Sequence, residues 1–321
     1  MKTLAVRKDS LGGSNLERVL AAGHFAVTAE VGPPRGPDAG VVKKKAGVLR
    51  GVADAYNVTD NQTAVVRMSS IAASKIILQE GLEPVMQMVC RDRNRIAIQS
   101  DLLGASALGI RNVLCLSGDH QSAGAGGKLK GHPGAKNVYD IDSIQLVSIV
   151  KGLRDDAVQD GGDLISPATP FFIGAAWTPL GPPEKFRTIR LAKKINAGAD
   201  FIQTQAVYDF KRFSEAVRRA EDMGLTDKAA ILAGIIVPRS AGMLRYMNKS
   251  VPGVEVPDEL IQRMKDAADP EAEGIKIALE LIDAARNLSG IKGVHLQAIE
   301  AEGLLPDVIK AAGLLPRPHV Y

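Results

Sequence analysis

The sequence predicts an α/β protein: a (β/α)8 TIM barrel, one domain over residues 1–321, with extra helical material before its last strand. Three observations predict it. Short apolar, β-like runs alternate with longer amphipathic stretches along the whole chain. About eight such units fit into its 321 residues. Several runs also stop abruptly at a polar side chain, as barrel strands do at the mouth that carries the active site. A doubly wound open sheet is the competitor, but no GxGxxG joins a first strand to a helix.

The elements follow in order. The first strand, 25–31, runs into Thr28-Ala29-Glu30-Val31-Gly32-Pro33-Pro34. The second, 53–59, ends at Thr59, and the third, 84–90, carries Gln87. Asn94 is a good N-cap for a helix over 95–108, which Gly109 stops. The fourth strand, 112–117, leads into Ser117-Gly118-Asp119-His120. Residues 120–137 hold Gly124, Gly126, Gly127, Gly131 and Gly134, too much glycine for a stable helix, so a mobile rim loop is expected. The fifth strand, 171–177, ends at Trp177, and a helix over 184–197 stops at Gly198. The sixth, 201–207, contains Gln205. Asp209 caps a helix over 210–223, which ends at Gly224. The seventh strand is 230–237. Segments 257–265 and 273–288 supply the extra helices before the last strand, 293–299. Most strands are apolar throughout, as strands covered on both faces should be.

Composition narrows the function classes. Hydrophobic residues make up 45% and charged residues 24%, a soluble globular balance. A net charge of +4 from scattered Lys and Arg weakly favours an anionic ligand and gives no argument for nucleic acid. The run Lys43-Lys44-Lys45 reads as a solvated helix face. Cys90 and Cys115 sit in apolar strands without CxxC or metal-ligand spacing, so buried, reduced thiols in a reducing cytoplasm are expected, and no metal. No secretory signal and no membrane span are expected.

Strand ends gather at one mouth in such a barrel. Glu30, Thr59, Gln87, Asp119, Trp177 and Gln205 would therefore share it. Two carboxylates, two amides, a hydroxyl and an indole suit a flat, nitrogen-rich ligand. Burying Glu30, Asp119 and Gln205 for structure alone would be costly, because unpaired polar groups lose hydration. Each has a plainer reading alone: Glu30 as partner of a core arginine, Trp177 as core. Their joint placement favours a functional cleft.

Segments 25–34, 56–61, 88–104, 112–119, 132–146, 198–209 and 290–296 together resemble the methylenetetrahydrofolate reductase family, in order along nearly the whole chain. Arg91-Asp92-Arg93-Asn94 followed by Ser100-Asp101-Leu102-Leu103-Gly104 is one specific string, and Ala135 to Ser143 is another. The resemblance implies a short, prokaryotic-type flavin barrel. Its reaction would reduce 5,10-methylenetetrahydrofolate to 5-methyltetrahydrofolate, or the reverse, by hydride transfer from flavin N5. That reaction belongs to one-carbon metabolism and serves methionine biosynthesis or an acetyl-CoA pathway.

The resemblance also implies roles. Glu30 matches the general acid that protonates N10 and helps open the five-membered ring. Asp119 matches an acid close to both flavin and pterin, and Gln205 matches the amide that holds the pterin. For the cofactor it points to Thr59, Gln87, Ser117, Gly118, Asp119, His120, Tyr139, Asp140, Trp177 and Lys194. Gln87 stands where some members have His, and Tyr139 and Asp140 are expected to present backbone groups. His120 reads equally as a flexible rim residue; Lys194 would meet a phosphate, with an ordinary surface lysine as its plainer reading. His295 reads as a satisfied core residue. FAD is the usual cofactor, and FMN stays open. An oligomer is expected.

One departure concerns the electron donor. After the seventh strand, NADH-using members carry an aromatic shortly after the residue matching Ser240. Here the place falls on Gly242, and the next aromatic is Tyr246. Electrons would then come from NAD(P)H bound differently or from an electron-transfer partner protein. Two cysteines are too few to ligate a four-cysteine cluster in this chain. The competing classes are a folate- or flavin-binding subunit without turnover of its own, and a flavin-dependent amino-acid dehydrogenase on a related barrel.

Overall fold

In the computed structural model the described residues are 12–122 and 131–320. Eight parallel strands close a barrel in sequence order. They are β1 (Ala26–Val31), β2 (Ala55–Val58), β3 (Pro84–Val89), β4 (Asn112–Leu116), β5 (Phe172–Trp177), β6 (Phe201–Ala206), β7 (Ala230–Ile236) and β8 (Ile291–Gln297). Their ends differ from the sequence expectation by no more than two residues. Gly124, Gly126 and Gly127 of the expected rim loop, and residues 1–11 at the start, lie outside the described residues.

The helices are α1 (Asn15–Ala21), α2 (Ala39–Val48), α3 (Ser70–Gln79), α4 (Arg95–Ala107), α5 (Ser143–Lys151), α6 (Glu184–Ala197), α7 (Phe210–Asp222), α8 (Ala241–Ser250), α9 (Asp258–Asp266), α10 (Pro270–Asn287) and α11 (Leu305–Ala311). The Asn94 side chain accepts from the Ala97 amide and that of Asp209 from the Arg212 amide, capping α4 and α7 as their sequences predict. α9 and α10 are the extra helices before β8. The basic run on α2 is only partly solvated. Lys43 and Lys44 are exposed, whereas Lys45 turns inward and donates to the Gly32 carbonyl at 3.1 Å. No helix among the described residues is long and apolar enough to cross a membrane.

Strand parity fills the barrel in layers. At the bottom, Phe172 stacks on Phe201 with ring centroids 5.0 Å apart. Gly174 makes room for them, because a Cβ there would fall 2.2 Å from the Phe201 ring. Leu16, Val19 and Leu20 of α1 pack onto this cluster and close the lower end. Above it the interior turns polar. Asn57 donates to the Gln203 amide oxygen at 2.6 Å, and Gln203 donates to the Thr28 hydroxyl at 3.2 Å. Thr28 Oγ1 lies 3.0 Å from His295 Nδ1. Side chains from β1, β2, β6 and β8 thus satisfy one another in an almost wholly buried layer. Outward-facing residues, Cys90 and Cys115 among them, pack between strands and helices as buried free thiols.

Candidate active site

The polar layer floors a cavity of about 410 Å³ at the C-terminal mouth of the barrel. Its walls include Glu30, Thr59, Gln87, Ser117, Gly118, Asp119, Trp177, Lys194 and Gln205. His120, Tyr139 and Asp140 are not among them. His120 turns to Ser122 (Nδ1 to Oγ, 2.7 Å), and Asp140 pairs with Arg95 at 3.0 Å. Tyr139 stands behind the wall and donates its hydroxyl to the Gly118 carbonyl at 3.0 Å.

Glu30 is the last inward-facing residue of β1, next to its final residue Val31. Burial, reinforced by the charge of Glu302 and opposed by Lys45 and Arg67, lifts its carboxyl from 4.5 to about 7. Near neutral pH it is therefore divided between acid and carboxylate, the poise a proton donor needs.

Asp119 is held from two sides. Its carboxylate accepts from the Thr63 amide at 3.2 Å, and its carbonyl accepts from the Arg91 guanidinium at 3.0 Å. Gly118 turns the chain here with φ +86°, and a Cβ would come within 3.0 Å of the Val89 Cβ. The loop after β2 is strained: Asn61, Thr63 and Ala64 have φ of 45°, 56° and 57°. Arg91 ties it down by donating to the Asn61 carbonyl at 3.0 Å while pairing with Asp92. Arg93 pairs with the buried Asp60 at 2.7 Å and with Asp101 at 2.8 Å. The Arg91–Asn94 string thus braces the mouths of β2, β3 and β4.

Gln205 lines the cavity, its Oε1 accepting from the Ala206 amide at 3.2 Å. Trp177 differs from the picture of a ring covering a ligand face. Parity turns Ala176 inward and sets the indole against Phe213 of α7 (centroids 6.4 Å), although the residue still lines the cavity. Trp177 Nε1 and Thr59 Oγ1 are both buried without a hydrogen-bond partner.

The opposite pole is cationic. Arg187, Arg190 and Lys194 share one face of α6 and line the cavity together. Lys194 donates to the Ala176 carbonyl at 2.6 Å, and burial, with Arg190 nearby, lowers its pKa to about 8. Sequence reasoning named Lys194 and missed both arginines. The signal was present: spacings of three and four put all three on one helical stripe. It also missed Gln203, which forms the floor.

These residues fit a flavin. The cationic stripe suits its phosphate end, and the orphaned Thr59 hydroxyl offers a donor to ring or ribityl oxygens. Among the described residues no cluster of three or more His, Cys, Asp or Glu is placed to hold a metal ion.

Comparisons with known proteins bear on the family and the fold. The family model for methylenetetrahydrofolate reductase matches residues 15–313. The chain is 24% identical over 262 residues to a probable methylenetetrahydrofolate reductase (NADPH) of Caenorhabditis elegans, covering 79% of this chain and 36% of that protein. It is 30% identical over 269 residues to methylenetetrahydrofolate reductase 2 of Schizosaccharomyces pombe, covering 77% of this chain and 38% of that one. A Clostridium thermocellum protein that binds two copies of 5-methyl-5,6,7,8-tetrahydrofolic acid shares the fold, with TM-score 0.62 and 14% identity over 92% of this chain and 99% of that one. The chain spans a little over a third of the length of the curated relatives it matches.

Proposed function

We infer the chemistry from one premise: the chain belongs to the methylenetetrahydrofolate reductase family. The reading supported best is flavin-dependent reduction of 5,10-methylenetetrahydrofolate to 5-methyltetrahydrofolate, or its reverse. The observation that carries it is the placement of Glu30, poised near pKa 7, in one cavity with Asp119 and Gln205.

The flavin, when bound, supplies the hydride from N5 to the methylene carbon. Everything else falls to the protein. Lys194, Arg187 and Arg190 would hold the phosphate end, and Thr59, Gln87, Ser117 and Gly118 the ring and ribityl groups. Gln205 and Asp119 orient the pterin through its amide and amine edge. Glu30 gives its proton to N10, which weakens the N10–methylene bond and opens the ring to the electrophilic 5-iminium cation. The carboxylate of Asp119 favours that cation electrostatically. In the reverse direction Glu30 takes the proton back. FAD is the cofactor proposed, with FMN the alternative.

The donor is NAD(P)H or a redox partner protein in the cytoplasm. The place filled by an aromatic in NADH-using members is open here: a Cβ on Gly242 would meet only Ser240 Oγ, at 3.7 Å. A subunit that needs a partner for electrons is therefore the second reading.

An absorption spectrum of the purified protein, followed by separate anaerobic additions of NADH and methyltetrahydrofolate, tests this. Bleaching by both identifies a self-sufficient reductase. Bleaching by methyltetrahydrofolate alone leaves the folate half-reaction and assigns electron delivery to a partner. Failure to bind FAD or FMN would overturn the reading.

A further inference from the structure

Glu30 sits in a sector of the mouth where three neighbouring elements converge. The chain leaving β1 is clamped on both sides. Lys45 of α2 donates to the Gly32 carbonyl at 3.1 Å, and Arg67 donates to the Pro33 carbonyl at 3.1 Å. The Met68 amide donates to the Pro34 carbonyl at 2.8 Å. From the third side, the loop after β8 brings Glu302 into an ion pair with Lys45. This loop passes through Glu300, whose φ of +55° is unusual for a non-glycine residue. The two side chains of the pair keep only 27% and 18% exposure, too little for an ordinary solvated surface contact.

The charges facing Glu30 come from those three elements: Glu302 after β8, Lys45 on α2 and Arg67 after β2. Arg67 also faces Arg35 and Glu300, and its Nε is buried without a partner. His295, deeper in the barrel on β8, stays uncharged because burial drives its pKa down to about 4. Lys45 and Glu302 therefore act on Glu30 with opposite signs, Glu302 the more strongly.

We propose that Lys45 and Glu302 are positioning residues for the reaction: an opposed charge pair that fixes the end of β1 and governs the proton affinity of Glu30. The link to turnover rests on the reading of Glu30 as the acid; the charge pair itself does not. Neither residue touches the cavity. Lys45 acts through the Gly32 carbonyl and its charge, Glu302 through Lys45 and its charge. Removing one partner leaves the other uncompensated, so single neutralisations act in opposite directions. Without Lys45, the remaining negative charge makes Glu30 harder to ionise. Without Glu302, the remaining positive charge makes it easier.

The test is a carbon-13 NMR titration of the full-length protein labelled in glutamate carboxyls, with the Glu30 signal identified by its loss in Glu30→Gln. Lys45→Met is expected to move the Glu30 midpoint up by about half a unit or more, and Glu302→Gln to move it down by a similar amount. The double variant should return close to the parent, which loss of structure would not produce. Lys45→Gln serves as a second neutral variant if Lys45→Met fails to fold. Unchanged midpoints in the single variants, or shifts of the same sign, would overturn the proposal. A second readout separates it from the reading of the site: the pH dependence of folate reduction by pre-reduced flavin. Midpoints that move in the NMR titration while the rate profile stays fixed would keep the charge pair and remove Glu30 from the role of acid.

Discussion

Replacing Glu30 by Gln tests the electrostatics of the mouth without any appeal to turnover. A carboxyl lifted from 4.5 to about 7 binds its proton more tightly in the folded protein than in the unfolded chain. The sign follows. Below about pH 4.5 both states hold the proton, and the group is neutral in stability. Between about 4.5 and 7 the unfolded state releases it first, so stability falls as pH rises. Above about 7 the penalty is complete. At 1.36 kcal/mol per unit, the lift corresponds to an upper figure of about 3 kcal/mol. Screening by the open cavity lowers it to roughly 1–3 kcal/mol. Gln keeps the shape and cannot ionise. Glu30→Gln should therefore gain about 1–3 kcal/mol relative to the parent on going from about pH 5 to about pH 8. Urea denaturation of the cofactor-free protein at both pH values measures this directly. A stability difference that does not change with pH would show that Glu30 ionises normally, and the poise argued for it would be gone. The same substitution should lower folate reduction by about 100-fold or more while dithionite still reduces the bound flavin.

Three other perturbations follow from the geometry. Gly118→Ala forces a Cβ against Val89 in a left-handed conformation; a loss of roughly 1–3 kcal/mol in thermal or urea unfolding is expected, with weakened flavin binding. Gln203→Leu strands the Asn57 amide and should cost about 1–3 kcal/mol of stability, whereas replacing Asn57 and Gln203 together by apolar residues should cost less than the two single changes combined. Lys194 loses its charge through about pH 8, so flavin affinity measured by fluorescence quenching should fall from about pH 7 to 9 in the parent and stay flatter in Lys194→Gln. Equal slopes would remove Lys194 from the phosphate end.

Much of this was legible because strands buried on both faces are written as apolar runs, and a polar residue at their end stands out. Glu30, Asp119 and Gln205 were found that way, and all line the cavity. Helices that pack by a narrow stripe were harder. α2 contains Gly40, Gly47 and three lysines, so its one inward cation reads as part of a solvated face. α1 lies ahead of the first strand, where a barrel repeat gives no reason to look for a helix. Charge partners such as Glu302 meet Lys45 across 257 positions, and no local pattern announces a contact of that separation. Parity explains Trp177: the end of a strand can be read from sequence more easily than which side its last residue faces.

The hydrogen-bonded floor of the barrel limits how this mouth can be reshaped by mutation. Thr28, Asn57, Gln203 and His295 come from four different strands, and each answers another's hydrogen bond. Changing one alone leaves a buried polar atom without its partner, so single-step routes to a deeper pocket pass through a less stable protein. Routes to a different rim meet this obstacle only where Arg91 and the buried Asp60–Arg93 pair tie the loops down. A descendant of this chain would therefore gain new ligands by altering the outer walls, and keep its depth until several floor positions changed together.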